Sequence, residues 1–200
     1  CMCAAAGGML RALEATPTPK PASAVPQAEP APPSQPGDAT LARAAKRMEF
    51  VDEWLPRFFR VLDETVSEST RRTLMEANGK VCYAAYAGPP RTTPQPDELE
   101  RFRAWIAGPG AKRGYSLRGE AILFEYTGSA ETGQAAPERI CLCPVAEGQK
   151  PGTLSPTFCH CSVGYVREMH ERRLGRKLKV ELLETVLAGD ARCRFKITVA

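Results

Sequence analysis

The chain has 200 residues, a formal net charge of +4 and no run of apolar residues long enough to cross a membrane. So slight an excess of positive charge does not argue for nucleic acid as a partner. The length is enough for one or two domains.

The first forty residues predict no packed core. Residues 1–15, which open with CMCAAAGGML, resemble the end of an export signal; a lipid-modified Cys1 and an ordinary flexible tail are the alternatives. Residues 16–40 consist mainly of Pro, Ala and small polar residues and predict a disordered linker. We therefore expect an exported protein, periplasmic or in the cell envelope, and a cytoplasmic one if residues 1–15 are not a signal remnant.

Residues 41–200 are predicted to form one domain, and its first part is helical. Apolar residues three or four apart over 41–66 indicate a helix with one buried face. Pro56 inside this stretch predicts a kink or a break into two helices. Ser67 is a typical N-cap for a further helix, which we expect to end near Asn78-Gly79.

The second part of the domain predicts strands. Residues 121–126 are rich in Ile, Leu, Phe and Tyr and predict a strand. A helix is expected over 163–174, and two strands over 177–187 and 192–199, joined as a hairpin at Gly189-Asp190. Helices first and strands later predict an α+β fold, with N-terminal helices packed on a C-terminal antiparallel sheet.

Two Cys-x-Cys pairs, Cys141/Cys143 and Cys159/Cys161, are the main chemical feature of the chain. A pair of this spacing rarely closes its own disulfide, and the loop between the pairs folds back at small entropic cost. Four thiolates at one point predict a metal site, with zinc as the expected ion and an iron–sulfur cluster as the alternative. Disulfides between the two pairs and thiol redox chemistry stay open. Three further residues remain candidates for joining this site: Cys82, Cys193 and His160. We expect the ring of His160 to point away from the two thiols of its pair, as a neighbouring residue does on an extended segment.

The segment CHCSVGYVREMHERRLGRKLKVELLETVLAGDARCRF resembles the C-terminal half of the 4-vinyl reductase domain family. That family shows a Cys, a Gly-aromatic pair opening a helix, a Gly, a Val-rich strand with Glu, and then Gly-Asp, Cys and Phe. The matching positions are Cys161, Gly164-Tyr165, Gly175, Val180, Glu181, Glu184, Gly189-Asp190, Cys193 and Phe195. The segment also resembles hydrolases of the L-2-amino-thiazoline-4-carboxylic acid type, and exported bacterial proteins that carry twin-arginine signals and a Cys-x-Cys-Pro segment.

The resemblance implies helices packed on an antiparallel sheet around an apolar pocket, a small-molecule ligand, and cysteines that act as zinc ligands. It also implies that Thr185 stands where the family has a further cysteine ligand. The leading interpretation is therefore an exported small-molecule-binding or sensing domain with a zinc site at Cys141, Cys143, Cys159 and Cys161. The sequence identifies neither the ligand nor the oligomeric state.

Two other functions fit the same residues. A thiol-dependent hydrolase of the thiazoline-carboxylate type would use Cys161, because the N-terminus of a helix favours a thiolate. Its base would be His160 or His170, although His170 lies on a polar stretch, which predicts an exposed side chain. The third interpretation is a disulfide-stabilised domain that binds another protein.

Overall fold

A computed structural model describes residues 37–88, 93–127, 139–146 and 149–200. In these ranges the chain has the expected α+β fold, with helices in the N-terminal part and an antiparallel sheet in the C-terminal part. None of the helices in these ranges combines the length and the apolar character that a membrane crossing needs. The predicted signal remnant and most of the predicted linker lie outside the described residues.

The described part of the chain contains four α-helices and a four-stranded sheet. The helices are α1 (Asp38–Thr65), α2 (Glu68–Ala87), α3 (Glu98–Trp105) and α4 (His160–Leu174). The strands are β1 (Tyr115–Arg118), β2 (Ala121–Glu125), β3 (Leu178–Glu184) and β4 (Arg194–Val199), and all neighbours in the order β1-β2-β4-β3 are antiparallel.

The predicted break at Pro56 is wrong, because α1 is one continuous helix. Leu55 and Phe59, on either side of the proline, are both buried in the core. Packing of these flanking side chains offsets the backbone hydrogen bond that a proline removes. Ser67 caps α2 as predicted, since its hydroxyl accepts a hydrogen bond from the Thr70 backbone N–H.

The predicted end of α2 near Asn78-Gly79 is also wrong, because the helix continues to Ala87. Gly79 serves a different purpose: a Cβ at this position would overlap the carbonyl oxygen of Cys161 on α4. Gly164 on α4 is the counterpart, because a Cβ there would overlap the carbonyl oxygen of Glu76. The two glycines let the backbones of α2 and α4 touch.

The predicted hairpin is confirmed, since β3 and β4 pair with Val180 opposite Ile197. Gly189 in the connection has φ of 102°, a conformation that glycine adopts without strain. On β4 the side chains of Phe195 and Ile197 are buried, as their alternation with charged residues predicts. Strand β1 was not expected from the sequence, and it extends the sheet by pairing with β2.

The contact between α2 and α4 gives a test of the fold. We expect Gly79→Ala to lower the free energy of unfolding by about 2 kcal/mol, because the added methyl group must push the two helix backbones apart. Ala77→Ser is the matched control, since it adds one heavy atom to the exposed side of the same helix and should change stability little. Urea denaturation of both variants measures the effect. Equal unfolding midpoints for Gly79→Ala and the parent chain would contradict the close contact.

Candidate functional site

The second Cys-x-Cys pair lies where a short 3-10 turn, Pro156–Cys159, leads into α4. Cys159 ends the turn and Cys161 lies in the first turn of the helix. Residues two apart on helical backbone point to different sides, so the two sulfurs of this pair diverge. His160, which the sequence placed on an extended segment, is the first residue of α4.

Cys161 faces α2. Its Sγ accepts a hydrogen bond from Asn78 Nδ2 at 3.4 Å, and the side chain is 1% exposed. Burial raises the pKa of the Cys161 thiol. The expectation that the helix N-terminus would lower this pKa is therefore wrong, because loss of hydration of the anion outweighs the helix dipole.

Cys159 faces the opposite way, toward the sheet. Its Sγ lies 2.8 Å from Thr185 Oγ1, and the Sγ of Cys193 lies 3.7 Å from the same oxygen. All three side chains are buried. We call these three residues, Cys159, Thr185 and Cys193, the thiol centre.

The two sulfurs of the thiol centre titrate as a pair. A hydrogen bond between them raises the pKa of Cys159 and lowers the pKa of Cys193. Burial of Cys159 acts in the same direction as this bond, whereas the bonds to Thr185 favour the anion on either sulfur. The directions of the two shifts favour the thiolate on Cys193 over the thiolate on Cys159.

The position of Thr185 is fixed by the connection between β3 and β4. Its backbone N–H donates to Asp190 Oδ2 at 2.8 Å, and its hydroxyl accepts from the Leu187 N–H at 3.4 Å. The Gly-Asp motif that predicted a hairpin therefore also positions the hydroxyl of the thiol centre.

The first Cys-x-Cys pair lies in the loop 139–146, and both of its thiols are buried. The Arg139 backbone N–H donates to the Ala191 carbonyl at 2.9 Å, which holds this loop beside the segment that leads to Cys193. Burial raises the pKa of Cys141 to about 11, and electrostatic interaction with nearby thiols, including Cys193, adds to the rise. Cys141 is therefore an electrostatic neighbour of the thiol centre.

The structure thus divides the four predicted metal ligands. Cys159 bonds within the thiol centre with Cys141 nearby, whereas Cys161 bonds to α2. Within the described ranges, no group of three or more His, Cys, Asp or Glu side chains is placed to hold a metal ion, and the cysteines there form no disulfides. As placed, the predicted set does not fit a four-thiolate zinc site, and zinc stays a prediction.

Cys193 is the partner of Cys159 that the sequence left open. The signal that identifies it is the strand alternation, because Cys193 has the same parity as the buried Phe195 and Ile197 and so points to the same face of the sheet. The thiol of Cys193, the first residue of the Cys-x-Phe motif, therefore lies in the core.

His170 is buried rather than exposed, contrary to the expectation from its polar neighbours. Its Nδ1 donates to the Val166 carbonyl at 2.8 Å, so its Nε2 accepts from the Tyr115 hydroxyl at 3.1 Å. Burial lowers the pKa of His170 to about 4 and raises the pKa of Tyr115. Both ring nitrogens are occupied by these bonds, which is not the arrangement of a base for Cys161.

The C-terminal part of the chain is similar to a known family. Residues 135–200 match DUF6144, a family of unknown function. Among solved structures the chain is similar to a trafficking protein particle complex subunit 3 from Naegleria fowleri, determined covalently bound to palmitic acid. The two share 10% identity over 78% of this chain and 96% of that one, with a TM-score of 0.41. No curated protein matches the chain significantly.

The neutral state of buried His170 predicts a pH-dependent stability. Its folded pKa of about 4 lies below the ordinary value of 6.5, so the unfolded chain takes up the proton first. The contribution to the free energy of unfolding, on the order of 3 kcal/mol, is present above pH 6.5 and is lost as the pH falls toward 4. Urea denaturation across this pH range measures it.

His170→Gln isolates this contribution from those of the carboxylates. The stability difference between the parent chain and His170→Gln should shrink as the pH falls, whereas Tyr115→Phe, which keeps the histidine, should retain most of the pH dependence. A difference between the parent chain and His170→Gln that stays constant from pH 7 to pH 4 would show that His170 is not held neutral by burial.

Proposed function

We propose that the protein is a ligand-binding or sensing domain whose reactive element is the thiol centre, and that Cys159 and Cys193 bind a thiophilic ligand such as zinc. The observation that supports this most strongly is the shared contact of the two sulfurs with the Thr185 hydroxyl. Two buried cysteines from distant segments that contact the same hydroxyl are chemically different from cysteines that only fill space.

The pKa values of the pair favour such a ligand. Soft metal ions bind the thiolate, so binding must displace the protons of the thiols that become ligands. Because the pKa of Cys193 is lowered, this sulfur gives up its proton with least cost. A bound zinc ion would supply positive charge that stabilises both thiolates in the core.

The ligand set that follows differs from the one predicted from spacing. Cys159 is kept, and Cys193 replaces Cys161, whose sulfur bonds to Asn78. Cys141 is the next candidate because it interacts electrostatically with both Cys159 and Cys193. It lies on a loop rather than in a helix or strand, so its sulfur is the one with most freedom to approach a bound ion.

The hydrolase alternative gains no support from the surroundings of Cys161. A nucleophilic cysteine needs a lowered pKa and access to its substrate, whereas Cys161 is buried and its pKa is raised. Export of the protein stays a prediction, since it depends on residues 1–40, nearly all of them outside the described ranges.

Zinc titration of cysteine variants tests the proposal. We expect Cys159→Ser and Cys193→Ser to weaken zinc binding by at least about 100-fold, because each removes one of two thiolate ligands. Cys161→Ser is the matched control from the same Cys-x-Cys pair and should bind zinc as the parent chain does. Competition with a chromophoric chelator measures the affinity, and circular dichroism confirms that each variant is folded.

Two outcomes of that titration would overturn the proposal. Loss of zinc binding in Cys161→Ser together with full binding in Cys193→Ser would restore the set predicted from spacing. A parent chain that binds no zinc when fully reduced, and that forms a Cys159–Cys193 disulfide under mild oxidation, would favour the structural disulfide interpretation.

The bridging hydroxyl gives a second test. We expect Thr185→Val to raise the pKa of the reactive thiol, because the hydroxyl stabilises the thiolate on either sulfur. The rate of iodoacetamide alkylation of Cys193 against pH, followed by mass spectrometry, measures this pKa. Thr157→Val is the control, since the Thr157 hydroxyl bonds to Asp63 instead. A profile for Thr185→Val that coincides with the parent profile would mean that the hydroxyl does not act on the sulfurs.

A further inference from the structure

The N-terminal half of α1 extends beyond the packed domain. The core side chains of α1 are Leu55 and Phe59, both in its C-terminal half. Every side chain described from residue 39 to residue 50 is exposed, including Leu41 at 53% and Met48 at 47%. A helix of this length without packing on one face is marginal in water, so its stability depends on what covers that face.

The apolar residues of α1 follow a heptad pattern. Alternating steps of three and four residues connect Leu41, Ala44, Met48, Val51, Leu55, Phe58 and Leu62. This is the spacing of the a and d positions of a coiled coil, in which each apolar side chain packs between four side chains of a second helix. Within this seam Leu55 is buried in the domain core, whereas Leu41, Ala44 and Met48 are open to a partner.

Two aromatic side chains of α1, Trp54 and Phe58, are also exposed. Trp54 stacks on Phe58 with ring centroids 4.8 Å apart, and both side chains are more than two-fifths exposed. Exposed stacked aromatic rings next to an open seam are typical of protein interfaces rather than of free surface.

The charges on α1 favour a second copy over a membrane. Acidic and basic residues are nearly equal in number along the helix, whereas a helix that lies on an anionic membrane surface is rich in Lys and Arg. With Leu41 at position a, Arg47 takes position g and Asp52 takes the following position e. In a parallel, in-register pair these two positions face each other across the seam, and symmetry makes the contact twice.

We propose that the N-terminal half of α1 pairs in parallel with the same segment of a second copy of this chain, forming a homodimeric coiled coil. Met48 and Val51 pack in its seam, and Arg47 of each copy bonds to Asp52 of the other. In an antiparallel pair, position g faces position g and position e faces position e, so Arg47 would face Trp54 and Asp52 would face Ala45. The charges therefore specify the direction of pairing.

The oligomeric state of the full chain, measured by sedimentation equilibrium in reducing buffer, tests the proposal. We expect a dimer whose dissociation constant rises at least about 100-fold in Met48→Asp, because a carboxylate would be buried in the seam. Lys46→Asp, on the solvent side of the same helix, is the matched control and should leave the dimer intact. A monomeric parent chain, or a dimer that Met48→Asp does not weaken, would overturn the proposal.

A charge exchange tests the direction of pairing. Arg47→Asp should raise the dissociation constant about tenfold by placing like charges opposite each other, and Arg47→Asp/Asp52→Arg should restore the parent value. A double variant as weak as the single one would rule out the parallel pair.

Other occupants of the seam give distinct results. If another segment of the same chain covers it, the parent chain is monomeric and Met48→Asp lowers its unfolding temperature. If a membrane surface covers it, the parent chain is monomeric and sediments with vesicles containing phosphatidylglycerol, and Met48→Asp abolishes this. Either result overturns the homodimer.

Discussion

The close contact between α2 and α4 determines the directions in which Cys159 and Cys161 point. Gly79 and Gly164 let the helix backbones touch. Arg167 of α4 and Glu76 of α2 form a 2.8 Å ion pair that also joins the two helices. With α4 fixed in this orientation, Cys161 must face α2. The helical geometry at the start of α4 then turns Cys159 toward the sheet, where Thr185 and Cys193 are found. The α2–α4 contact therefore places the two thiols in different surroundings, with Asn78 as the partner of Cys161 and Thr185 as the partner of Cys159.

Much of the fold could be predicted from the sequence because short-range patterns and long-range packing agree. The alternation over 192–199 predicts β4. The same alternation places Cys193, the residue just before β4, on the buried side of the sheet. The extent of α2 could not be predicted, because Asn78-Gly79 is both a typical helix end and a site of close helix contact. Only the partner helix, distant in sequence, decides between these two uses of glycine.

The candidate site was harder to predict because Cys-x-Cys has opposite meanings in different backbones. In a strand, residues two apart share a face, so both thiols could bind one ion; in a helix they diverge. His160 was expected on an extended segment, whereas the backbone there is helical. The reactivity of Cys161 and His170 was also hard to predict, because burial changes the pKa of both side chains. Burial depends on tertiary packing and cannot be read from the neighbouring residues in the sequence.

The periodic pattern over residues 41–66 predicted a buried face, but a pattern does not state which molecule buries it. The two halves of α1 answer differently: the C-terminal half packs in its own domain, and the N-terminal half has no described cover. The C-terminal half of α1 also contacts the turn that carries Cys159. Phe59 of α1 packs edge to face on Phe158, with ring centroids 5.3 Å apart, and Phe158 directly precedes Cys159. Because this contact joins α1 to the turn that presents the sulfur, a ligand that displaces Cys159 would disturb the packing of Phe59, one of the two side chains that anchor α1 in the core.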